Sequence, residues 1–156
     1  MIKNIHHFGI LVRDFEKMTK FYEAAFGFKV LGTELKIAPD KAEQISGGEQ
    51  RSRNTRVIMM QAGNCYLEIM GNPELPPYDA SAPLTGYSQM CVDVDDIDME
   101  YARLKELGMK FGAPAPVDFG HVKAVTGTDP EGNAIELVQT MHDWDCNSAR
   151  LQPLHA

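Results

Sequence analysis

The sequence feature that most constrains this chain is a short motif that occurs twice. In residues 132–138 a Gly-Asn pair precedes apolar, β-forming residues with one embedded carboxylate, Glu136. Residues 63–69 repeat that order, with Glu68 in the matching place. A Gly-Asn pair favours a two-residue hairpin turn because glycine adopts positive φ at no steric cost. Either glutamate alone is typical of a solvated residue on an edge strand, but the repetition predicts one module written twice, with both glutamates facing a shared site.

The residues around the first copy predict a strand, a helix and three more strands. Residues 5–12 have the composition of a strand. Apolar residues then recur at helical spacing over residues 15–26, from an N-cap at Asp14 to a stop at Gly27. The second half repeats this order: a strand, a helix, a short strand, a loop marked by prolines and two final strands.

The second half has matching start and stop signals. Residues 87–94 predict its first strand, and Asp95 or Asp96 caps the helix that follows. Gly108 ends that helix as Gly27 ends the first.

The repeat predicts the domain organisation. We expect a first module in residues 1–71, a proline-rich linker in 72–86, a second module in 87–139 and a tail in 140–156. A repeat of this length that occurs only twice indicates a single domain, 1–156, with two-fold pseudosymmetry.

Three segments have less definite patterns. Residues 40–45 are compatible with one helical turn. Arg51, Arg53 and Arg56 lie close together in the sequence, either in a solvated loop or on a cationic edge that meets an anionic substrate. Trp144, in the tail, is expected to pack over the sheet or against the second subunit of a homodimer.

Composition excludes several classes of protein. The net charge of −7 argues against a nucleic-acid partner, and no apolar run approaches the ~18 residues of a membrane span. The first residues contain no apolar signal core, so no secretory leader is expected. The three cysteines are odd in number and far apart, which predicts reduced thiols in a cytoplasmic protein.

Aligning the halves on their Val-Arg-Asp and Val-Asp-Asp strings places His7 opposite Gln89. Each half therefore offers one donor before its helix and one glutamate, Glu68 or Glu136, on its last strand. One imidazole, one amide and two carboxylates suit an octahedral divalent ion better than a closed tetrahedral zinc site. The expected cofactor is one Ni, Co, Mn, Zn, Mg or Fe ion per site. Strand alternation places His6 on the face opposite His7.

The opening and closing strings resemble a known family. Residues 7–14, 21–22 and 26–28 are similar to the opening of the vicinal oxygen chelate superfamily, and residues 129–133 and 135–137 are similar to its closing motif. The resemblance implies an α+β fold in which two βαβββ modules form an eight-stranded, U-shaped mixed sheet around a metal, with the helices outside.

The ligand set most resembles that of glyoxalase I, a metal-dependent lyase of this family. The resemblance therefore implies a lyase or isomerase that acts on a small molecule with adjacent oxygens. Alternatives are an epimerase such as methylmalonyl-CoA epimerase, an Fe²⁺ ring-cleaving dioxygenase and a protein that sequesters its ligand without turnover. Leu11 occupies the place of an arginine that contacts glutathione in glyoxalase I, whereas Asn72 matches a second glutathione contact. His121 is a further candidate for substrate binding, at the mouth of the cleft.

The expected chemistry is proton transfer beside a carbonyl group. The metal would bind two substrate oxygens and stabilise an enediolate, while a carboxylate removes and returns the proton. Glu136 is the first choice for this base, and Glu68 is a second candidate from the opposite face.

Overall fold

The computed structural model describes residues 5–38, 55–79 and 86–141. The chain divides into two compact units, with the boundary between Pro77 and Tyr78. Each unit contains one helix, among the residues described, packed on its own mixed sheet.

The first unit is a four-stranded sheet in the order β1-β4-β3-β2. Strand β1 pairs with β4 in parallel, and the other neighbours are antiparallel. Its elements are β1 (His7–Val12), α1 (Phe15–Phe26), β2 (Lys29–Ile37), β3 (Thr55–Ala62) and β4 (Cys65–Gly71).

Helix α1 forms as its sequence predicts. The Asp14 side chain accepts a hydrogen bond from the backbone N–H of Lys17 at 3.0 Å, which satisfies one of the unpaired donors at the helix start. Gly27 ends the helix with φ of 66°, a conformation that other residues adopt at a steric cost. Apolar side chains of the helix and of strand β4 form the core of this unit, including Met18, Tyr22, Ala25, Leu67 and Ile69.

The second unit is a five-stranded sheet in the order β5-β9-β8-β6, in which β7 also pairs with β8. Strands β5 and β9 are parallel, like β1 and β4 in the first unit. Its elements are β5 (Met90–Asp93), α2 (Ile97–Glu106), β6 (Lys110–Phe111), β7 (Val117–Asp118), β8 (Val122–Thr128) and β9 (Ala134–Thr140).

The second unit refines three details of the sequence-based prediction. The strand expected over residues 87–94 is shorter and leaves Gln89 just before it. Asp96, not Asp95, caps helix α2, because its side chain accepts a hydrogen bond from the N–H of Met99 at 3.0 Å. Strand β7 is additional, so the described residues form nine strands in two sheets where eight in one sheet were expected.

Arg56 is held by carboxylates and is not free to meet an anionic substrate. Its Nε and Nη2 donate to the two carboxylate oxygens of Glu34 at 2.7 Å each, and its Nη1 donates to Glu16. The guanidinium carbon also lies 4.3 Å from the centre of the Phe15 ring. The hydrogen bonds from Arg56 lower the pKa of both glutamates, so the network is ionic at neutral pH.

Several predictions fall outside the described residues: the helical turn at 40–45, Arg51, Arg53 and the tail with Trp144. In the part of the chain that the structure describes, no helix is both long and apolar enough to span a membrane.

Candidate metal-binding residues

In the first unit, His7 and Glu68 lie on the same face of the sheet. Strand register pairs His7 with Tyr66 and Gly9 with Glu68, and parallel partners in register share a face. The Nε2 atom of His7 lies 3.7 Å from the Oε2 atom of Glu68. Both side chains remain accessible, with exposed fractions of 39% and 23%.

Gly9 keeps the space beside this pair open. A Cβ atom at Gly9 would lie 3.6 Å from Oε2 of Glu68 and 2.8 Å from the terminal methyl carbon of Met70. A side chain at position 9 would therefore displace the end of the Met70 side chain and occupy the space next to the Glu68 carboxylate.

His6 contacts His7, which corrects the prediction that the two rings diverge. Their Nδ1 atoms are 2.8 Å apart, and the His6 ring also packs on Tyr66 with 5.0 Å between ring centres. Strand β1 begins at His7, so His6 precedes the strand and escapes the alternation that would place it on the other face.

In the second unit, Gln89 and Glu136 form the matching pair. The amide Nε2 of Gln89 donates a hydrogen bond to Oε2 of Glu136 at 2.9 Å. This bond uses an amide hydrogen, so the amide oxygen of Gln89 can still act as a ligand.

Cys91 lies beside the same glutamate, because strand register pairs Cys91 with Glu136. Burial, the charge of Glu136 and a hydrogen bond to it raise the pKa of the Cys91 thiol to about 12. The thiol is therefore protonated at neutral pH and acts as a hydrogen-bond donor rather than a nucleophile.

A turn built by Asp129 precedes the strand that carries Glu136. Asp129 is 1% exposed, and its Oδ1 accepts from the backbone N–H groups of Glu131 and Asn133 at 2.9 Å each. Its Oδ2 accepts from the Asn133 side chain at 2.7 Å. A two-residue Gly-Asn turn is present between β3 and β4, but the turn before β9 spans five residues, because Asp129 organises it.

The two predicted substrate contacts have less direct placements. Asn72 is 7% exposed, and its Oδ1 accepts from the backbone N–H of Glu74 at 2.9 Å, as in a turn. The backbone N–H of Met141 donates to the backbone carbonyl oxygen of His121, next to the register pair of Val122 and Thr140. His121 precedes strand β8, which begins at Val122, so strand alternation does not fix the face on which its side chain lies. The substrate-binding roles of Asn72 and His121 stay predictions.

The donors of the two pairs fit a divalent cation chemically. Metal–ligand bonds of about 2.1 Å separate two donors by about 3.0 Å at right angles and about 4.2 Å in line. The 3.7 Å between His7 Nε2 and Glu68 Oε2 lies within that range. Within residues 5–38, 55–79 and 86–141, no group of three or more His, Cys, Asp or Glu side chains is close enough together to hold a metal ion.

Comparison with known proteins identifies the family. The model of the Glyoxalase/Bleomycin resistance protein/Dioxygenase superfamily matches residues 4–137, nearly the whole chain. The chain belongs to this superfamily. The family match and the mixed sheets confirm the resemblance and the α+β fold class predicted from the sequence.

A protein of curated function is similar in sequence to most of this chain. A lactoylglutathione lyase of Schizosaccharomyces pombe is 27% identical over 152 residues, which cover 86% of this chain and 46% of that protein. The chain thus spans about half the length of this curated relative.

Two solved structures have folds similar to that of the present chain. A glyoxalase family protein from Enterococcus faecalis is 26% identical, with a TM-score of 0.67 and coverage of 87% of this chain and 97% of that one. The fosfomycin resistance protein FosX from Listeria monocytogenes, complexed with Mn(II) and sulfate, is 15% identical. Its TM-score is 0.62, with coverage of 90% and 95%.

Sequence reasoning gave no role at the site to His6 or Cys91, and it named Asp129 only as part of the closing motif in residues 129–133. Cys91 could have been found from the alignment of the halves, because it lies two residues after Gln89 and so shares its face of the strand predicted over residues 87–94. Asp129 had a signal in the Asp-Pro-Glu-Gly-Asn string, which is typical of a turn. No sequence pattern indicates that the His6 ring turns towards His7.

Proposed function

We propose that this protein is a metal-dependent lyase or isomerase of the glyoxalase I type. The observation that carries the proposal is the pairing of a glutamate with a second donor in each unit: His7 with Glu68, and Gln89 with Glu136. These are matched positions of the internal repeat, and the family match supports a shared role for them.

In this proposal the four side chains of the two pairs hold one divalent ion. When bound, the ion would supply Lewis acidity towards a substrate carbonyl oxygen, which is worth several kcal/mol of charge stabilisation. The Mn(II) complex of the Listeria monocytogenes FosX protein is consistent with a divalent metal at this site.

Glu136 would leave the ion when the substrate binds and then act as the base. Its carboxylate removes the proton from the carbon next to the carbonyl and returns it to the neighbouring carbon, so no atom is gained or lost. The hydrogen bond from the Gln89 amide orients the carboxylate, and the protonated Cys91 thiol lies beside it. Glu68 is the alternative base, on the sheet of the first unit.

Solvent exchange tests the base directly. The protein loaded with Ni²⁺, Co²⁺ or Mn²⁺ is incubated in D₂O with the hemithioacetal of methylglyoxal and glutathione, then with hemithioacetals of other thiols. We expect deuterium to enter the carbon-bound position of the product. Glu136→Gln should abolish this exchange while substrate binding stays measurable, because the amide cannot accept the proton.

The control is Glu106→Gln, which makes the same charge change in the last turn of helix α2, on an exposed side chain. Unchanged exchange in Glu136→Gln would remove Glu136 from the role and direct attention to Glu68. Oxygen consumption by an iron-loaded protein would instead favour the dioxygenase, and tight binding without exchange would favour ligand sequestration.

The proposal includes a small-molecule substrate and a homodimer. Asn72 and His121 are kept as candidate substrate contacts, and their alanine variants should raise KM more than they lower kcat if they bind substrate without touching the proton. Sedimentation analysis decides the oligomeric state.

A further inference from the structure

His6 contacts the candidate ligand His7 and also Tyr66, the residue paired with His7 on the neighbouring strand. Its Nδ1 lies 2.8 Å from Nδ1 of His7, and the planes of the two rings are 86° apart. The other contact is with Tyr66, the register partner of His7 on strand β4. The backbone N–H of Tyr66 also donates to the carbonyl oxygen of His6 at 3.1 Å, so His6 is held by its backbone as well as its ring.

We propose that His6 is a positioning residue that orients His7 for metal binding, an inference that rests on the proposed function. Nδ1 of His6 accepts a hydrogen bond from the Nδ1–H of His7. A neutral imidazole carries its proton on one nitrogen, so this bond leaves Nε2 of His7 with a free lone pair. Ligating histidines generally donate their other ring N–H to an acceptor, and here that acceptor is a second imidazole.

The distances on the two sides of the His7 ring support this direction of the hydrogen bond. On one side, the 2.8 Å between the two Nδ1 atoms is a normal hydrogen-bond length. On the other side, the 3.7 Å between Nε2 and Glu68 exceeds the usual N–H···O limit of about 3.2 Å. The contact with Glu68 therefore does not require a proton on Nε2, and both atoms are available as ligands on the same face.

Two substitutions separate the nitrogen of His6 from its ring. His6→Phe keeps an aromatic ring against Tyr66 but removes the acceptor. His6→Asn places a carbonyl oxygen near the position of Nδ1 and removes the ring. If His6 acts only by packing, phenylalanine should preserve the behaviour of His7 and asparagine should disturb it; if it acts by hydrogen bonding, the reverse is expected.

The first readout uses metal-free protein with ¹⁵N-labelled histidine. Side-chain NMR of the wild type should show the His7 proton on Nδ1 and a pyridine-like Nε2. In His6→Phe the two tautomers should average, whereas His6→Asn should retain the wild-type pattern. A proton on Nε2 of His7 in the wild type overturns the proposal, and this outcome does not depend on the folding of any variant.

The second readout is the affinity for Co²⁺, measured by calorimetry and by the visible spectrum of the bound ion. We expect His6→Phe to weaken binding about tenfold, and His6→Asn to weaken it much less, because loss of such supporting hydrogen bonds costs about 10- to 100-fold. Equal affinity of wild type and His6→Phe overturns the proposal. If the wild type binds no Co²⁺, the proposed function fails, while the NMR pattern still decides whether His6 orients His7.

Discussion

Asp129 forms the turn before the strand that carries Glu136, and its substitution tests how much this turn contributes to the stability of the fold. Asp129→Ala removes a buried carboxylate that accepts hydrogen bonds from the backbone N–H groups of Glu131 and Asn133 and from the side-chain amide of Asn133. A buried donor that loses its partner costs about 1–3 kcal/mol. Because Glu131 and Asn133 are only half-buried, water can replace part of the loss. We therefore expect the two backbone groups together to cost about 3 kcal/mol.

Urea unfolding at neutral pH measures this loss, and the unfolding temperature should fall by about 6–12 °C in a protein of this size. Asp129→Asn is the matched control. Its carbonyl oxygen can still accept both backbone N–H groups, and the Asn133 amide can turn to offer its own oxygen, so the loss should be clearly smaller. A change of less than about 0.5 kcal/mol in Asp129→Ala, which is typical of an ordinary surface position, would show that these hydrogen bonds do not stabilise the fold.

Two further predictions concern the first unit. Arg56→Met should lower stability at neutral pH and have progressively less effect in acid. The two carboxylates paired with Arg56 have a lowered pKa when folded, so their contribution is present above their unfolded pKa of about 4.3 and disappears as pH falls through the folded values. Urea unfolding over a pH series checks this, and a difference that does not change with pH would contradict it. Gly71→Ala should cost about 1–3 kcal/mol, because the new Cβ would lie 2.6 Å from a ring carbon of Phe15. Gly112→Ala is its control, since a Cβ there meets nothing within 4 Å, and equal stability of the two variants would argue against the predicted overpacking.

The features predicted correctly from the sequence are those that depend on local chemistry. Helix α1 begins and ends where Asp14 and Gly27 predict, because an N-cap and a left-handed glycine act on their own neighbours. The pairing of Arg56 with Glu16 joins residues 40 positions apart, and no local pattern predicts it.

The candidate site also contains features that the sequence predicts and one that it does not. The internal repeat was enough to place a glutamate and a second donor together in each unit, because matched strands with matched register bring matched residues onto the same face. The rule of alternation failed at His6, since it applies only inside a strand and β1 begins one residue later.

We propose that two pairs of side chains hold one divalent ion together: His7 with Glu68, and Gln89 with Glu136. The most direct measurement is elemental analysis of the protein after loading with Co²⁺ and removal of free ion, repeated for His7→Ala and Glu136→Ala. We expect about one bound ion per chain in the wild type and loss of the ion in both variants, because each variant removes a ligand from a different unit. Full occupancy in either variant would contradict it.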